Sequence, residues 1–489
     1  MTSGTFGARL LWAAAALAWS GAAPAQEAPI AITGVTLIDG TGRAPRANVT
    51  VVIEKGKISK IGGAVPRDAT RIDGTGRFLL PGFIDSNVHA TVYGNPARRD
   101  TSSRYFDRNE ELALEFVQRQ LKAGVTTVRD SYGVLPPLLK VRDRIARGEA
   151  VGSRMLVAGN ILGWGGPFSL TYSLTKDSDL SMFQEQWNDT LSQGMGEELL
   201  DMTPEQLRVA IDAYLDRGVD FLKYGGTSHF MFPSLIGFSP RQQKVIVEEA
   251  HKYGKFAETH ATSSEALTIA VEAGIDLIQH PEILSRDYPE ELIALIVKRG
   301  TLCAMRANSL TGAVRQRQIA ARALAEARIA TLPPATTSAE RRRRLEMLNE
   351  NAEIERRNAE RLIKAGCPVT IATDNYLGDA PEFRRIPKGP EAEPGEGSLL
   401  AIEGLVELGM TPMQAIVSAT RNGGRATGRG AELGTIEPGK IADLLLLTAD
   451  PIADIHNIRK LEMVFANGRP VDLAKLPEHP LFDASLGPK

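Results

Sequence analysis

Seven histidines in a chain of 489 residues are few enough to be read one at a time. His89 ends the run Phe83-Ile-Asp-Ser-Asn-Val-His89, which restarts an apolar strand after Pro81-Gly82. Asn87 and His89 stand two residues apart, so on a strand both side chains face one side. His260 ends Phe256-Ala-Glu-Thr-His260, and His280 ends Ile275-Asp-Leu-Ile-Gln-His280. Asp374 ends the run from Pro368, and Lys223 ends the run from Val219. Three imidazoles and a carboxylate at strand ends are divalent-metal ligand types. Lysine is the odd member, because an ammonium repels a cation. A desolvated lysine is readily neutral, however, and a neutral amine reacts with carbon dioxide to give a carbamate. The two oxygens of a carboxylated Lys223 could bridge two metals.

Those strand ends are scattered along the chain and need a fold that gathers them. The middle of the sequence repeats one unit: an amphipathic helix, a glycine that ends it, then a short apolar strand. Asn109 to Lys122 shows the pattern, with Leu112, Phe116, Val117 and Leu121 on one face and Gly124 before Val125 to Val128. Gly218, Gly254, Gly274, Gly300 and Gly366 repeat it. Thr203-Pro204-Glu205-Gln206 and Ser239-Pro240-Arg241-Gln242 combine a capping hydroxyl, a first-turn proline and a glutamine partner, and so predict helix starts. With the opening strand and Met155 to Ala158, eight β units result, which predicts an α/β fold of (β/α)8 TIM-barrel type. A doubly wound open sheet is the alternative, but no Gly-rich phosphate loop follows the first strand. The barrel predicts that all these polar residues meet at its C-terminal rim.

The two ends of the chain read differently. Ile32 to Ile38, Val49 to Glu54 and Ile58 to Ile61 are short strands separated by Asp39-Gly40, Lys55-Gly56 and Gly62-Gly63. Too short to bury a core alone, they need partners, and Leu444 to Leu447 and Met463 to Ala466 supply them. The expected organisation is a small β-sandwich domain from residues 26–80 and 429–489, with the barrel inserted over 81–428. Two segments interrupt the rhythm. Residues 159–201 predict a long loop suited to a substrate lid, and residues 311–364, with Arg341 to Arg344, predict a solvated helical face.

The net charge of −2 gives no bulk electrostatic case for nucleic acid or an anionic membrane. Arg9, the apolar run Leu10 to Trp19 and Ala23-Pro24-Ala25 predict a signal peptide over residues 1–25. The mature protein is then expected to be periplasmic or secreted, with no membrane association and with homo-oligomer formation possible. Cys303 and Cys367 read as buried packing residues rather than a disulfide.

Pro81-Gly-Phe-Ile-Asp-Ser-Asn-Val-His89 resembles the PGxxDxHxH opening of the metal-dependent amidohydrolase superfamily, with Asn87 in place of the first histidine. Thr126-Thr-Val-Arg-Asp-Ser-Tyr-Gly133, Glu258-Thr-His260, Asp276 to His280 and Ala372-Thr-Asp374 are similar to its later motifs. Thr411 to Thr420 and Gly434 to Asp443 are similar to its closing segment. The match spans nearly all of the mature chain and is nearest to the imidazolonepropionase and Xaa-Pro dipeptidase-like branch.

The resemblance implies that carboxylated Lys223, His260 and His280 hold an inner metal, most naturally zinc. His89 and Asp374 would hold an outer one, weakened or lost because an amide oxygen at Asn87 is a poor zinc ligand. It further implies hydrolysis of an amide or peptide-like C–N bond in a small molecule, an N-acyl amino acid or dipeptide-like compound. Asp374 would act as general base and then acid. Tyr132, Tyr224 and His229, just past strand ends, are the expected substrate contacts. Hydrolysis of a cyclic amide, ester or lactone, or a non-catalytic binding role, are the alternatives.

Overall fold

The computed structural model describes residues 28–93, 107–173, 180–229, 234–284, 286–331, 337–338, 350–377 and 389–477. The expected signal peptide and the run Arg341 to Arg344 lie outside the described residues. Among those described, no helix is long and apolar enough to cross a membrane.

The N-terminal strands are β1 (Ile30–Leu37), β2 (Arg46–Glu54), β3 (Lys57–Ile61), β4 (Thr70–Asp73) and β5 (Phe78–Pro81). The barrel strands are β6 (Phe83–Tyr93), β7 (Val125–Asp130), β8 (Arg154–Val157), β9 (Ile161–Leu162), β10 (Leu222–Gly225), β11 (Ala257–His260), β12 (Leu277–Gln279), β13 (Leu302–Met305), β14 (Val369–Ile371) and β15 (Asn375–Leu377). The chain closes with β16 (Leu444–Leu447), β17 (Leu461–Ala466) and β18 (Arg469–Pro470).

Both chain ends build one eight-stranded sheet in the order β18-β17-β16-β5-β1-β2-β3, with β4 beside β1. The hairpin turns Lys55-Gly56 and Asn467-Gly468 have positive φ at both residues, the geometry that matches strand twist in two-residue loops. The sheet curls until β3 meets the residues ahead of β16, where Ile58 N donates to Lys440 O at 2.9 Å. The curl encloses Ile32, Leu37, Val51, Leu79, Leu444, Leu446 and Phe465, a core shared by both termini. Each such side chain contributes roughly 1.5–3 kcal/mol by leaving water, which neither half could bury alone.

Between β5 and β16 the chain forms a ring of parallel strands. β6, β7 and β8 are paired in sequence, as are β9 through β14. The third stave is split into β8 and β9 at Gly159, and Asp220 N donates to Val157 O at 2.7 Å to carry the ring onward. The eighth stave is also split. β14 pairs with β13, β15 pairs with β6, and Asp374 lies at the change of partner with φ of 59°. Ser86 and Thr370 hydroxyls, 2.9 Å apart, tie the seam. The closed (β/α)8 barrel is therefore observed, and the open sheet is excluded. Gly218, Gly254, Gly274, Gly300 and Gly366 all take positive φ where helices end. Thr203 and Ser239 form the predicted capping boxes with Gln206 and Gln242.

Two expectations are corrected. Residues 159–201 are not a structureless loop: among those described are helices Leu170–Ser173 and Met182–Ser192 and a 3-10 turn at Glu197–Asp201. Trp164, Phe168, Trp187 and Leu191 from this segment pack with Tyr132 and Val134 into a small separate core. The cysteines are not independent packing residues either. β13 and β14 are neighbours with Cys303 opposite Val369, which brings Cys367 to a Cα–Cα distance of 6.4 Å and into a disulfide with Cys303. Residues 311–364 meet expectation where they are described. Helices Gly312–Ala330 and Glu350–Lys364 carry surface ion pairs such as Arg315–Glu353 at 3.0 Å.

Candidate active site

At the C-terminal rim, the alternation of β6 sends Asn87 and His89 inward, and the kink in the eighth stave brings Asp374 over them. His89 Nε2 lies 3.0 Å from Asp374 Oδ1, and Asn87 Nδ2 donates to that same oxygen at 3.0 Å. The backbone N–H of Asp374 donates to Asn87 O at 2.9 Å. On the other side of the rim, His260 Nδ1 and His280 Nε2 stand 3.2 Å apart. His280 follows β12 directly and has φ of 35°. Positive φ is uncommon for residues other than glycine and is held in place only where the surroundings impose it, most often at functional sites.

Lys223 on β10 sits opposite Glu258 of β11 and is 2% exposed. Burial pushes its pKa below the usual lysine range, against the pull of Glu258 and Asp374. No carboxylate closes an ion pair with its ammonium among the described residues. Burial likewise holds His260 and His280 well below the ordinary histidine value. Asp374 behaves oppositely. Burial works to raise it, but the His89 hydrogen bond and the charges of His280, His89 and Arg306 outweigh that and hold the carboxyl well below its usual range.

A buried layer fixes these groups. Asp85 accepts from Thr373 N at 3.1 Å, Thr373 Oγ1 at 2.7 Å and Ser398 Oγ at 2.8 Å, anchoring the turn that carries Asp374. Beneath the rim, Arg129 and Glu258 form a fully buried ion pair at 2.6 Å, close but without hydrogen-bond alignment. Gln279 Nε2 donates to Glu258 Oε1 at 2.9 Å.

The donor set fits a divalent metal. Ligand nitrogens about 2.0–2.1 Å from a tetrahedral zinc stand roughly 3.4 Å apart, close to the observed separation of His260 and His280. Tyr132 O, 3.2 Å from His89 Nδ1, can only accept, so Nδ1 carries the hydrogen. The Nε2 lone pair then faces a carboxylate oxygen, an arrangement that needs a proton or a cation between them. Burial pushes His89 below its usual range, which disfavours the proton. Among the described residues no three His, Cys, Asp or Glu side chains form a metal-holding group by themselves. The donors come as two pairs, and Lys223 joins them only if modified.

Of the expected substrate contacts, Tyr132 and His229 are at this rim and Tyr224 is not. Tyr132 lies edge-on to His89 with ring centroids 6.1 Å apart. His229 is 5.9 Å from the His260 ring. Tyr224 points out of the barrel, fully buried against Phe238, with its hydroxyl donating to Gln243 Oε1 at 2.9 Å. Alternation explains this, because Lys223 faces inward and its neighbour must face outward.

The sequence reading missed Arg306, one residue past β13. Its Nη1 is 3.7 Å from Asp374 Oδ2, while Nε is 3.3 Å from Glu282 and Nη2 is 3.5 Å from Glu355. Its place just beyond a strand end was the available signal. It placed Trp164 and Tyr172 only within the expected lid segment and gave them no contact role, whereas their rings gather around Tyr132 and His229. Two open cavities, of about 360 and 370 Å³, lie elsewhere on the molecule and do not include these side chains.

A closed parallel barrel with polar side chains gathered at its C-terminal rim has the arrangement in which barrel enzymes place their chemistry. Residues 78–471 match the Amidohydrolase family, and the chain belongs to it. It is an amidohydrolase, an enzyme acting on C–N bonds. The structure of a molinate hydrolase superposes with a TM-score of 0.81 at 31% identity, covering 95% of this chain and 98% of that one. Phenylurea hydrolase B gives 0.80 at 31% identity, over 93% and 99%. The imidazolonepropionase of Stenotrophomonas maltophilia is 24% identical over 86% of this chain and 90% of its own, in keeping with the branch read from the motifs.

Proposed function

We propose that this amidohydrolase uses a divalent metal, zinc by its ligand chemistry, to hydrolyse an amide-type C–N bond in a small molecule. The observation that carries the reading is the pair of donor contacts at one rim, His260–His280 at 3.2 Å and His89–Asp374 at 3.0 Å. His260, His280 and carboxylated Lys223 would hold one tight metal. His89 and Asp374 flank a second, weaker position at which Asn87 replaces a stronger ligand. Asn87 donates Nδ2 to Asp374, and its buried Oδ1, which has no hydrogen-bond partner among the described residues, is the atom left to face a cation as a weak neutral ligand.

When bound, the metal would supply an activated water and polarise the scissile carbonyl. The chain's own contribution is proton handling at Asp374. Oδ1 is taken by His89 and Asn87, so Oδ2 is the oxygen that accepts the proton and returns it to the leaving nitrogen. Arg306 beside Oδ2 favours the ionised form, which keeps proton residence short. Tyr132 and His229 would contact substrate. The two neighbours at 31% identity are by name hydrolases of molinate and of phenylurea, which supports a small-molecule substrate. The disulfide supports export to a periplasmic or extracellular space.

Elemental analysis of the purified protein should find about one zinc-like ion per chain. Chelation should abolish amide hydrolysis and metal should restore it. Hydrolysis that survives in metal-free protein would overturn the proposal.

A further inference from the structure

The rings at the rim form one assembly. Tyr132 and Tyr172 are 6.0 Å apart at 24°, Tyr172 and His229 are 4.0 Å apart at 4°, and His229 and His260 are 5.9 Å apart at 24°. The result is a column of near-parallel rings that ends on a candidate metal ligand. Trp164 stands perpendicular to all of them, at 6.4, 5.4, 5.4 and 4.8 Å in the same order, with angles from 71° to 86°. Backbone and side-chain bonds lock the assembly. Trp164 Nε1 donates to Thr227 O at 2.9 Å, and His229 N donates to Thr171 O at 2.9 Å. Two segments far apart in sequence are thereby fastened together beside the site. Trp164 and Tyr132 are buried, Tyr172 is half-buried, His229 is exposed and His260 is buried, so the column is closed at both ends and meets solvent at its middle pair.

We infer that this column determines substrate class, selecting molecules whose scissile amide bears a planar aromatic substituent. The inference rests on the hydrolase reading above and adds what flanks the bond. Ring faces prefer offset or edge-on aromatic partners, and such pairs gain energy beyond the area they bury. Tyr172 and His229 cover each other's facing sides, so a ring entering from solvent meets their edges, beside His260. That position places an aryl group beside the amide, where a flexible alkyl chain of equal size would lose more conformational freedom on binding.

The test compares acetanilide with N-hexylacetamide as substrates for the metal-loaded full chain. The wild type should favour the anilide in kcat/KM. Tyr172→Ala should lower that preference about tenfold, the effect of roughly 1.4 kcal/mol, mainly through KM for the anilide. Tyr172→Phe keeps the ring and should keep the preference. Metal content should be the same in all three proteins. Equal rates on both amides in the wild type, or an unchanged preference in Tyr172→Ala, would overturn the inference while leaving the hydrolase reading intact. If neither amide is hydrolysed, calorimetric titration with acetanilide decides. Binding that weakens in Tyr172→Ala but not in Tyr172→Phe supports the column as an aryl site, and no binding to wild type refutes it.

Discussion

The Cys303–Cys367 link is open to a quantitative test. It joins residues 64 apart, one in the seventh stave and one entering the eighth. Closing a loop of that length removes chain entropy from the unfolded state worth about 4 kcal/mol at 25 °C in the loop-entropy model. Both residues are buried, at 0% and 6% exposure, so reductant has little access to the bond in the folded state. The double variant Cys303→Ala/Cys367→Ala should therefore unfold at a lower urea concentration, losing up to that amount. Tryptophan emission follows the barrel, because Trp164 and Trp187 lie in its rim core. Wild type unfolded and refolded in reductant should match the variant. Thiol titration in denaturant should count no free thiol before reduction and two after it. Two free thiols without reduction, or a variant with the wild-type midpoint, would refute the reasoning.

Other perturbations have equally defined outcomes. Asp374→Asn should lower kcat by about 10²–10⁴-fold while metal at the His260–His280 position is retained, as measured by elemental analysis beside steady-state rates. Asn87→His should raise metal stoichiometry toward two per chain, and an unchanged ratio would remove Asn87 from the site. Arg129→Met leaves Glu258 buried and unpaired and should cost about 3–5 kcal/mol of stability. Arg129→Met/Glu258→Gln should recover most of that in denaturant unfolding. Burial pushes Asp130 up to about 8 against an ordinary 3.8. Between those values the folded state holds a proton that the unfolded state has released, so stability declines as pH rises through that window and levels off above about 8. Asp130→Asn should flatten the decline, and parallel profiles for both proteins would contradict the assignment.

Most of the architecture was legible because helix ends, glycines and short apolar runs recur in a fixed order, and because local chemistry specifies each one. His89, His260, His280 and Asp374 could be placed together once the ring was inferred, since a barrel fixes where strand ends point. Tyr224 shows the same rule neglected. The alternation that turned Lys223 inward had already turned Tyr224 away. The disulfide was not legible, because pairing depends on which staves become neighbours, and spacing along the chain does not reveal that. Nor could the sequence reveal the positive φ of His280 and Asp374, which tertiary contacts impose. Arg306 was overlooked because Glu282, Glu355 and Asp374 lie far from it in sequence, and only the fold brings those groups together.

The sheet shared by both termini has a consequence for how the molecule is made. Arg77 and Glu462, partners across it, are 385 residues apart. Until the intervening chain and β16 are in place, β5 has no partner on that side. The barrel staves pair among themselves, but the small sheet is complete only with the last stretch of the chain. A chain lacking everything from Leu444 onward would leave β5 with one unpartnered edge.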